Sequence, residues 1–345
     1  MNCLKGKRVV ITGACGTIGQ ELVKQLVDNY EVEEVVGLDN NESELFHLDQ
    51  KHMQDNASFF LADIRDRYKL TRKMKHMQVV FHTAAFKHVI LCERSPFEAA
   101  QTNIIGVQNV ITAAMDNHAE KVIFTSSDKA VNPTNVMGTS KLMGERLIAA
   151  ANSSLRGGNG PMLASTRFGN VLGSRGSVIP IFKEQISQGG PVTLTDPEMT
   201  RFIMSIKEAV KLVIESANLA CGGEVFITKM PIIRIKDLAE VMIEELAPQY
   251  GHEPERIEIK TIGAKAGEKM YEELMNLEET RRAIELERYF AVPPAFRSLY
   301  QDIRYEYSDI ISTEVNNPYN SSNEKPLDKE GLRSFLNQNN LLDDH

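Results

Sequence analysis

The sequence predicts an α/β protein, a doubly wound parallel sheet with a smaller C-terminal α/β lobe. Three observations carry this expectation. Short apolar runs at Val9-Val10-Ile11, Glu34 to Leu38, Ser58 to Leu61, Val79 to His82 and Val122-Ile123-Phe124 alternate with helix-length segments, the rhythm of strand–helix–strand units whose strands are buried on both faces. Glycines recur between the first run and the first helix. A polar stretch from Thr125 to Lys141 follows the fifth run, at the carboxyl end of a strand, where open α/β sheets place their ligands.

The chain has 345 residues, 42% apolar and 25% charged, an ordinary globular mixture that can fill a large domain and a lobe. A formal charge of −8 argues against a nucleic-acid binder, which would show a basic face. Local amides and a few arginines still suffice for a pyrophosphate. Cys3, Cys15, Cys92 and Cys221 make neither a metal spacing nor a disulfide framework, which fits a reducing cytoplasm. The N-terminus runs into a strand rather than a signal peptide, and no apolar run nears the roughly 18 residues of a membrane span.

After the first strand, Gly13-Ala14-Cys15-Gly16-Thr17-Ile18-Gly19 leads into a helix from Gln20 to Asp28. In this G-x-x-G-x-x-G spacing Gly13 takes the tight turn, Gly16 lets the backbone approach a pyrophosphate, and Gly19 lets the helix pack on the strand. The helix start, at Thr17 and Ile18, offers free N–H groups to the phosphates. Asp39 ends the second strand, twenty residues after Gly19. A carboxylate there accepts bonds from the adenosine ribose and repels the extra phosphate of NADP, so NAD is the expected cofactor. The alternative is that Asp39 caps the next helix, and Asn40 or Asn41 could serve as well.

Asp63 and Ile64 close the third strand, placed to hydrogen-bond and pack on an adenine. Ala84 and Ala85 follow the fourth strand and let a cofactor lie close to the backbone. Lys87 and His88 come next, Lys87 as a candidate substrate contact, although a lone loop histidine is more often structural. Pro96 to Asn117 reads as one long helix with Asn103 in its interior, where it needs partners. Next to a cofactor site such an asparagine is expected to brace the strand that carries the catalytic groups.

Ser127, Asp128 and Lys129 then set a hydroxyl, a carboxylic acid and an amine side by side at the end of the fifth strand. They supply a proton donor, a proton acceptor and a hydrogen-bonding group. Lys141 comes on the next helix, whose apolar pattern runs from Leu142 to Ala151. Its ammonium group can hold a nicotinamide ribose and lowers the pKa of neighbouring acids.

The pattern resembles the extended short-chain dehydrogenase/reductase family, with its Rossmann-type fold. The family's Tyr-x-x-x-Lys signature survives in spacing as Met137-Gly138-Thr139-Ser140-Lys141, with methionine where tyrosine is expected. A thioether is only a weak acceptor and cannot take a substrate proton; the adjacent Asp128 is the evident substitute. The run from Ser127 to Gly138 resembles one branch, the NDP-N-acetylhexosamine 4,6-dehydratases of bacterial surface-polysaccharide synthesis. The likeness continues in Arg167-Phe168-Gly169-Asn170-Val171, Gly176-Ser177-Val178-Ile179-Pro180, Met199-Thr200-Arg201-Phe202 and Gly267-Glu268-Lys269. It is similar to the short soluble members, without membrane helices.

The resemblance implies a bound NAD, a sugar-nucleotide substrate such as UDP-N-acetylglucosamine, a homo-oligomer and a cytoplasmic place. It implies Asn170, Ser177, Val178 and Arg201 near the nucleotide and its phosphates, which an arginine fork suits. Glu268 would border the substrate lobe; alternatively it is a helix N-terminal charge. In the implied reaction Asp128 takes the C4 hydroxyl proton and carries it to the C6 oxygen, Lys129 removes the C5 proton, and Ser127 hydrogen-bonds the C4 oxygen. The rivals are a 4-epimerase, which needs no C5 base, and a catalytically silent NAD-binding protein.

Residues 1–165 are expected to form the NAD-binding domain, its sheet completed by later segments. Residues 166–298 are expected to be mainly the substrate-binding lobe, and 299–345 a C-terminal arm or a partly disordered tail.

Overall fold

The computed structural model describes residues 3–153, 160–174, 177–263, 268–296 and 303–343; Gly176 and Gly267 lie outside them. The apolar runs become parallel strands: β1 (Arg8–Thr12), β2 (Glu34–Asp39), β3 (Ala57–Leu61), β4 (Val79–His82), β5 (Lys121–Ser127) and β6 (Met162–Phe168). They lie in the order β6-β5-β4-β1-β2-β3. Val10 of β1 stands opposite Val36 of β2 and Val80 of β4, all three buried. The strand order reverses between β1 and β4, the switch point at which such sheets hold ligands.

The connections are α1 (Thr17–Asn29), α2 (Glu42–Lys51), α3 (Arg67–Lys73), α4 (Val89–Arg94), α5 (Pro96–Ala100), α6 (Gly106–Asp116) and α7 (Val136–Ser153). The expected single helix from Pro96 to Asn117 is interrupted by a π-helical turn, Gln101–Ile105, that carries Asn103. Such turns commonly mark a place where a side chain is re-aimed. Helix α7 begins earlier than the pattern from Leu142 suggested. The Asn135 side chain accepts from the N–H of Gly138 at 2.8 Å and Glu93 accepts from the N–H of Val136 at 2.6 Å, so two of the first-turn donors are satisfied. Met137 and Lys141 therefore both ride on α7.

Beyond β6 the chain continues through β7 (Asn170–Val171), α8 (Val178–Ser187), β8 (Val192–Leu194), β9 (Thr200–Met204), α9 (Ile206–Leu219), β10 (Val225–Thr228), β11 (Ile232–Arg234), α10 (Ile235–Leu246), β12 (Ile259–Thr261) and β13 (Glu273–Met275). Then come α11 (Leu277–Thr280), β14 (Ile284–Leu286), β15 (Tyr289–Val292), β16 (Ile310–Ser312), β17 (Tyr319–Asn320) and α12 (Lys329–Gln338). Strand β10 joins the sheet parallel to β6, and β15, β14 and β16 extend it with antiparallel pairings to ten strands. The result is a Rossmann-type doubly wound fold.

The chain divides into two compact, interleaved units, Met1–Phe168 with Ala209–Lys229 and Met275–Pro318, and Gly169–Glu208 with Met230–Leu274 and Tyr319–His345. The sequence reading left the later segments that complete the first domain's sheet without bounds; the first unit here includes Ala209–Lys229 and Met275–Pro318. The stretch expected as an arm supplies β16 to the large sheet, and α12 buries Leu332 and Leu336 completely in the second unit's core with Leu238 and Met242 of α10.

Candidate active site

The glycine loop is shaped by contacts that exclude side chains. Gly13 has φ +76°, and a Cβ there would meet the backbone N of Ala84 at 2.6 Å. A Cβ on Gly19 would lie 2.1 Å from the Gly13 carbonyl oxygen, so this helix packs directly on the loop. Gly16 is the N-terminal cap of α1 and gives it no side-chain bond, which leaves the first N–H groups of a 13-residue helix for a ligand.

Around this loop, at the switch point, is a cavity of about 280 Å³. Gly13, Gly16, Asp39, Asp63, Ile64, Ala84 and Ala85 all line it; Thr17, Ile18 and Gly19 follow as the first turn of α1, outside the lining. Asp39 is committed to the backbone: Oδ2 accepts from the N–H of Cys15 at 2.9 Å and Oδ1 from that of Asn41 at 3.0 Å. The cap of α2 is Asn41, which accepts from the N–H of Glu44. Asp63 is held by Arg65, whose Nε reaches both carboxylate oxygens at 3.0 Å, and these bonds keep its carboxyl below the usual range. Sequence reasoning missed Thr102, which lines the cavity and whose buried hydroxyl has no partner among the described residues. A helix start, a strand-end acid, small strand-end residues and an unpaired hydroxyl fit the adenosine and pyrophosphate part of a dinucleotide.

The second cluster is at the end of β5. Ser127 ends the strand and its Oγ accepts from the N–H of Lys129 at 3.2 Å, closing a tight turn over Asp128–Ala130. Asp128 is 4% exposed, and Lys129 Nζ donates to its two oxygens at 3.0 and 3.2 Å. The pair is thus not a solvated surface pair. On α7, buried Lys141 donates to the carbonyl oxygen of Thr125 at 2.9 Å and sits 4.8 Å above the Phe124 ring. Burial pulls its pKa down to about 8, with Glu145 and then Cys92 opposing. Met137 is buried in a small apolar cluster with Cys92 and Ala99.

Two neighbours complete this cluster. Asn103 accepts from the N–H of Phe86 at 2.8 Å and donates to its carbonyl oxygen at 3.0 Å and to Ser140 Oγ at 2.9 Å. It therefore braces the loop after β4 and the helix of Lys141, not the strand of Asp128. His82, unforeseen, lies fully buried with Nδ1 2.6 Å from Thr12 Oγ1. Burial, then the Lys141 charge, hold it near pKa 3 and so neutral. Lys87 and His88 are exposed, and His88 precedes α4 without a side-chain cap bond.

In the second unit, a cavity of about 320 Å³ is lined by Asn170, Ser177, Val178, Arg201 and Glu268. Lys87, grouped with them from sequence, belongs to the first unit. Arg201 is tied down by Glu272 at 3.3 Å through Nε, by the carbonyl oxygens of Thr200 and Lys269 at 2.8 and 2.9 Å, and loosely by Glu268 at 3.7 Å. Asn170 Nδ2 donates to Glu272 at 2.9 Å. Glu272 is buried and was missed; the acidic spacing around Gly-Glu-Lys was the available signal. Ser177 Oγ has no partner among the described residues, and Ile233, Ile235 and Ile262 give the cavity an apolar wall.

With this topology and strand-end site the chain falls among the extended short-chain dehydrogenases/reductases. Its membership is narrower still: the model of the polysaccharide biosynthesis protein family matches residues 9–294, and the chain belongs to that family. It is 50% identical over 341 residues to an uncharacterised membrane protein of Methanocaldococcus jannaschii, covering 99% of this chain and 98% of the relative. No helix among the described residues is long and apolar enough to cross a membrane. It is 37% identical over 298 residues to an inverting UDP-N-acetylglucosamine 4,6-dehydratase of Campylobacter jejuni, 86% of each chain. It is also 35% identical over 338 residues to a UDP-glucose 4-epimerase of Rickettsia rickettsii, covering 96% and 95%. The solved structure of Pen from Bacillus thuringiensis matches with TM-score 0.89 and 40% identity, over 98% of this chain and 99% of that one.

Proposed function

We propose that this protein carries out the NAD-dependent 4,6-dehydration of a nucleotide-linked N-acetylhexosamine, with UDP-N-acetylglucosamine the first candidate. The product would be a 4-keto-6-deoxy sugar nucleotide for bacterial surface glycan synthesis. The observation that carries the reading is the ion pair between buried Asp128 and partly exposed Lys129 at the end of β5. An acid and an amine held together are what a reaction with one proton shuttled and a second one abstracted requires. The Campylobacter relative supports the reading; the Rickettsia relative keeps a 4-epimerase as its rival.

NAD, when bound, supplies the hydride acceptor for C4 and the hydride donor for C6. Gly13, Gly16 and the start of α1 would hold its pyrophosphate, Asp39 its adenosine ribose, and Lys141 its nicotinamide ribose. Asp128 accepts the C4 hydroxyl proton while Ser127 hydrogen-bonds the oxygen. That uptake neutralises the carboxylate beside Lys129 and removes the charge that favours its ammonium form, so the lysine releases a proton to solvent and becomes the free amine. Lys129 then takes the C5 proton, made acidic by the C4 ketone. Asp128 returns its proton to the C6 oxygen, which leaves as water. Met137 has no part in the proton chemistry.

In the second unit, Arg201 and Asn170 would meet the substrate pyrophosphate, with Glu268 yielding its loose hold on the arginine. An epimerase would need the C4 acceptor but not the C5 base, so Lys129 divides the readings. Asp128→Asn should abolish reduction of the bound cofactor by substrate, read at 340 nm. Lys129→Ala should permit that reduction and block exchange of the C5 proton with solvent. An Asp128→Asn variant that still reduces its cofactor would remove Asp128 from the mechanism.

A further inference from the structure

Four charges lie buried together behind the strand-end site, and only Lys141 among them has a place in the chemistry above. Arg167, 1% exposed on β6, donates through Nε and Nη2 to the two oxygens of Glu145 at 3.0 and 2.6 Å. Its Nη1 and Nη2 reach Glu279 at 3.0 and 3.1 Å. Glu279 is fixed in turn by the capping box of α11, where Asn276 and Glu279 exchange backbone and side-chain bonds. Burial works to raise the Glu279 carboxyl, but the Arg167 charge and bonds, then the Asn276 N–H and the charge of Arg282, hold it below the usual range; Arg282 is itself paired with Glu278 at 2.6 Å.

Two carboxylates and one guanidinium leave the triad one negative charge in excess. A buried group of that kind calls for a cation, since an uncompensated charge out of water is costly. Glu145 is one helical turn from Lys141 on α7, at the i,i+4 spacing that brings side chains together. With the lysine included the cluster is neutral. Among the described residues the other groups that face Lys141 supply less counter-charge than Glu145: β5 offers the Thr125 carbonyl oxygen and the Phe124 ring, β4 the neutral His82, and α4 the Cys92 thiol, a smaller opponent of the lysine's shift whose own value burial raises.

We propose that the Glu145–Arg167–Glu279 triad is the counter-ion of Lys141, a set of positioning residues that keeps the lysine protonated and aimed while it is out of water. Arg167 sets the strength of the effect. By clamping Glu145 in two bonds it holds that carboxylate back from a direct bond to the ammonium group, which stays free for a ribose hydroxyl. The pKa near 8 is the balance: burial lowers it and Glu145 resists. The consequence for cofactor binding rests on the role proposed for Lys141. The titration of Lys141 does not, because it is read without substrate or turnover.

The test follows Lys141 by nitrogen-15 NMR of the cofactor-free protein, its signal assigned by loss in Lys141→Arg, with NAD affinity measured by calorimetry over the same pH range. Wild-type Lys141 should titrate near 8. Glu145→Gln should lower that value by about one unit and weaken NAD binding at pH 8 by about fivefold, with affinity recovering as the pH falls. Glu279→Gln, which keeps the Arg167–Glu145 clamp, should shift it the same way by less. Arg167→Met with Glu279→Gln, which leaves Glu145 to face the lysine alone, should raise it. Shifts of opposite sign are not what lost packing produces. An unchanged Lys141 titration in any of these variants that keeps the native spectrum overturns the proposal. So does a wild-type Lys141 that titrates at about 5 to 6, as buried lysines without a counter-ion do.

Discussion

The Asn103 side chain and the Ser140 hydroxyl meet at 2.9 Å, which ties the π-helical turn to the helix of Lys141. Asn103 also spans the backbone of Phe86, beside the cofactor cavity. One amide thus fixes the loop after β4 against α7. Asn103→Leu leaves the Phe86 N–H without that partner and takes one bond from the Ser140 hydroxyl, which keeps its bond to the Met137 carbonyl oxygen at 2.7 Å, at a total cost of about 1–3 kcal/mol. The expected outcome is a lower urea midpoint together with weaker NAD binding. Loss of stability with unchanged NAD affinity would show that the brace does not reach the cofactor site.

Met137 stands where the family signature has tyrosine, yet its side chain is packed with Cys92 and Ala99. Met137→Leu should keep activity and cost less than about 1.5 kcal/mol, as volume-conserving core swaps do. Met137→Tyr should be less stable by about 1–3 kcal/mol and turn over no faster, because the larger ring enters an apolar cluster. A tyrosine variant with raised turnover would return the proton chemistry to this position.

A Cβ at position 19 would lie 2.1 Å from the Gly13 carbonyl oxygen. Gly19→Ala must push α1 off the glycine loop, costing about 1–3 kcal/mol and displacing the N–H groups offered to the pyrophosphate. Gly251, also a turn glycine, has nothing within 4 Å of such a Cβ. Gly251→Ala therefore meets only its own positive-φ strain and should leave NAD affinity intact. Equal losses of NAD affinity in the two variants would disconnect the loop from the cofactor.

Glu224 is fully buried and accepts from the backbone N–H groups of Cys221 and Gly222. Burial raises its pKa to about 7, against those bonds, from an ordinary 4.5. A folded pKa above the unfolded one means the native state binds the extra proton between the two. The stability this gives is full below 4.5 and is lost as pH rises through 7. Between pH 5 and 8 the loss attributable to this group is about 2.5 kcal/mol. Urea titrations should show a steeper fall for wild type than for Glu224→Gln over that range; equal slopes would contradict the assignment.

The parallel half of the sheet was legible because its strands are unbroken apolar runs such as Val9-Val10-Ile11, and the glycine spacing marked the switch point. The antiparallel extension was not: Ile284–Leu286 and Ile310–Ser312 are three-residue strands whose partners come from distant segments, so no local period reveals them. The helix break at Gln101–Ile105 depends on what Asn103 bonds, which propensity does not encode. Five of the residues expected near a substrate nucleotide line one cavity: Asn170, Ser177, Val178 and Arg201 lie at or next to the start of a strand or helix, and Glu268 lies in the segment ahead of β13. Glu145, Glu272 and Glu279 escaped notice because an acid in a helical or turn-rich stretch reads as solvated. Only the burial of Arg167 and Arg201 against them shows otherwise.

The central claim is tested most directly by proton NMR of the purified protein with UDP-N-acetylglucosamine in D₂O, without added cofactor. The account predicts a 4-keto-6-deoxy product carrying solvent deuterium at C5, since Lys129 exchanges its proton with the medium before C5 is reprotonated. Formation of UDP-N-acetylgalactosamine with no deuterium at C5 would contradict it and make the protein a 4-epimerase.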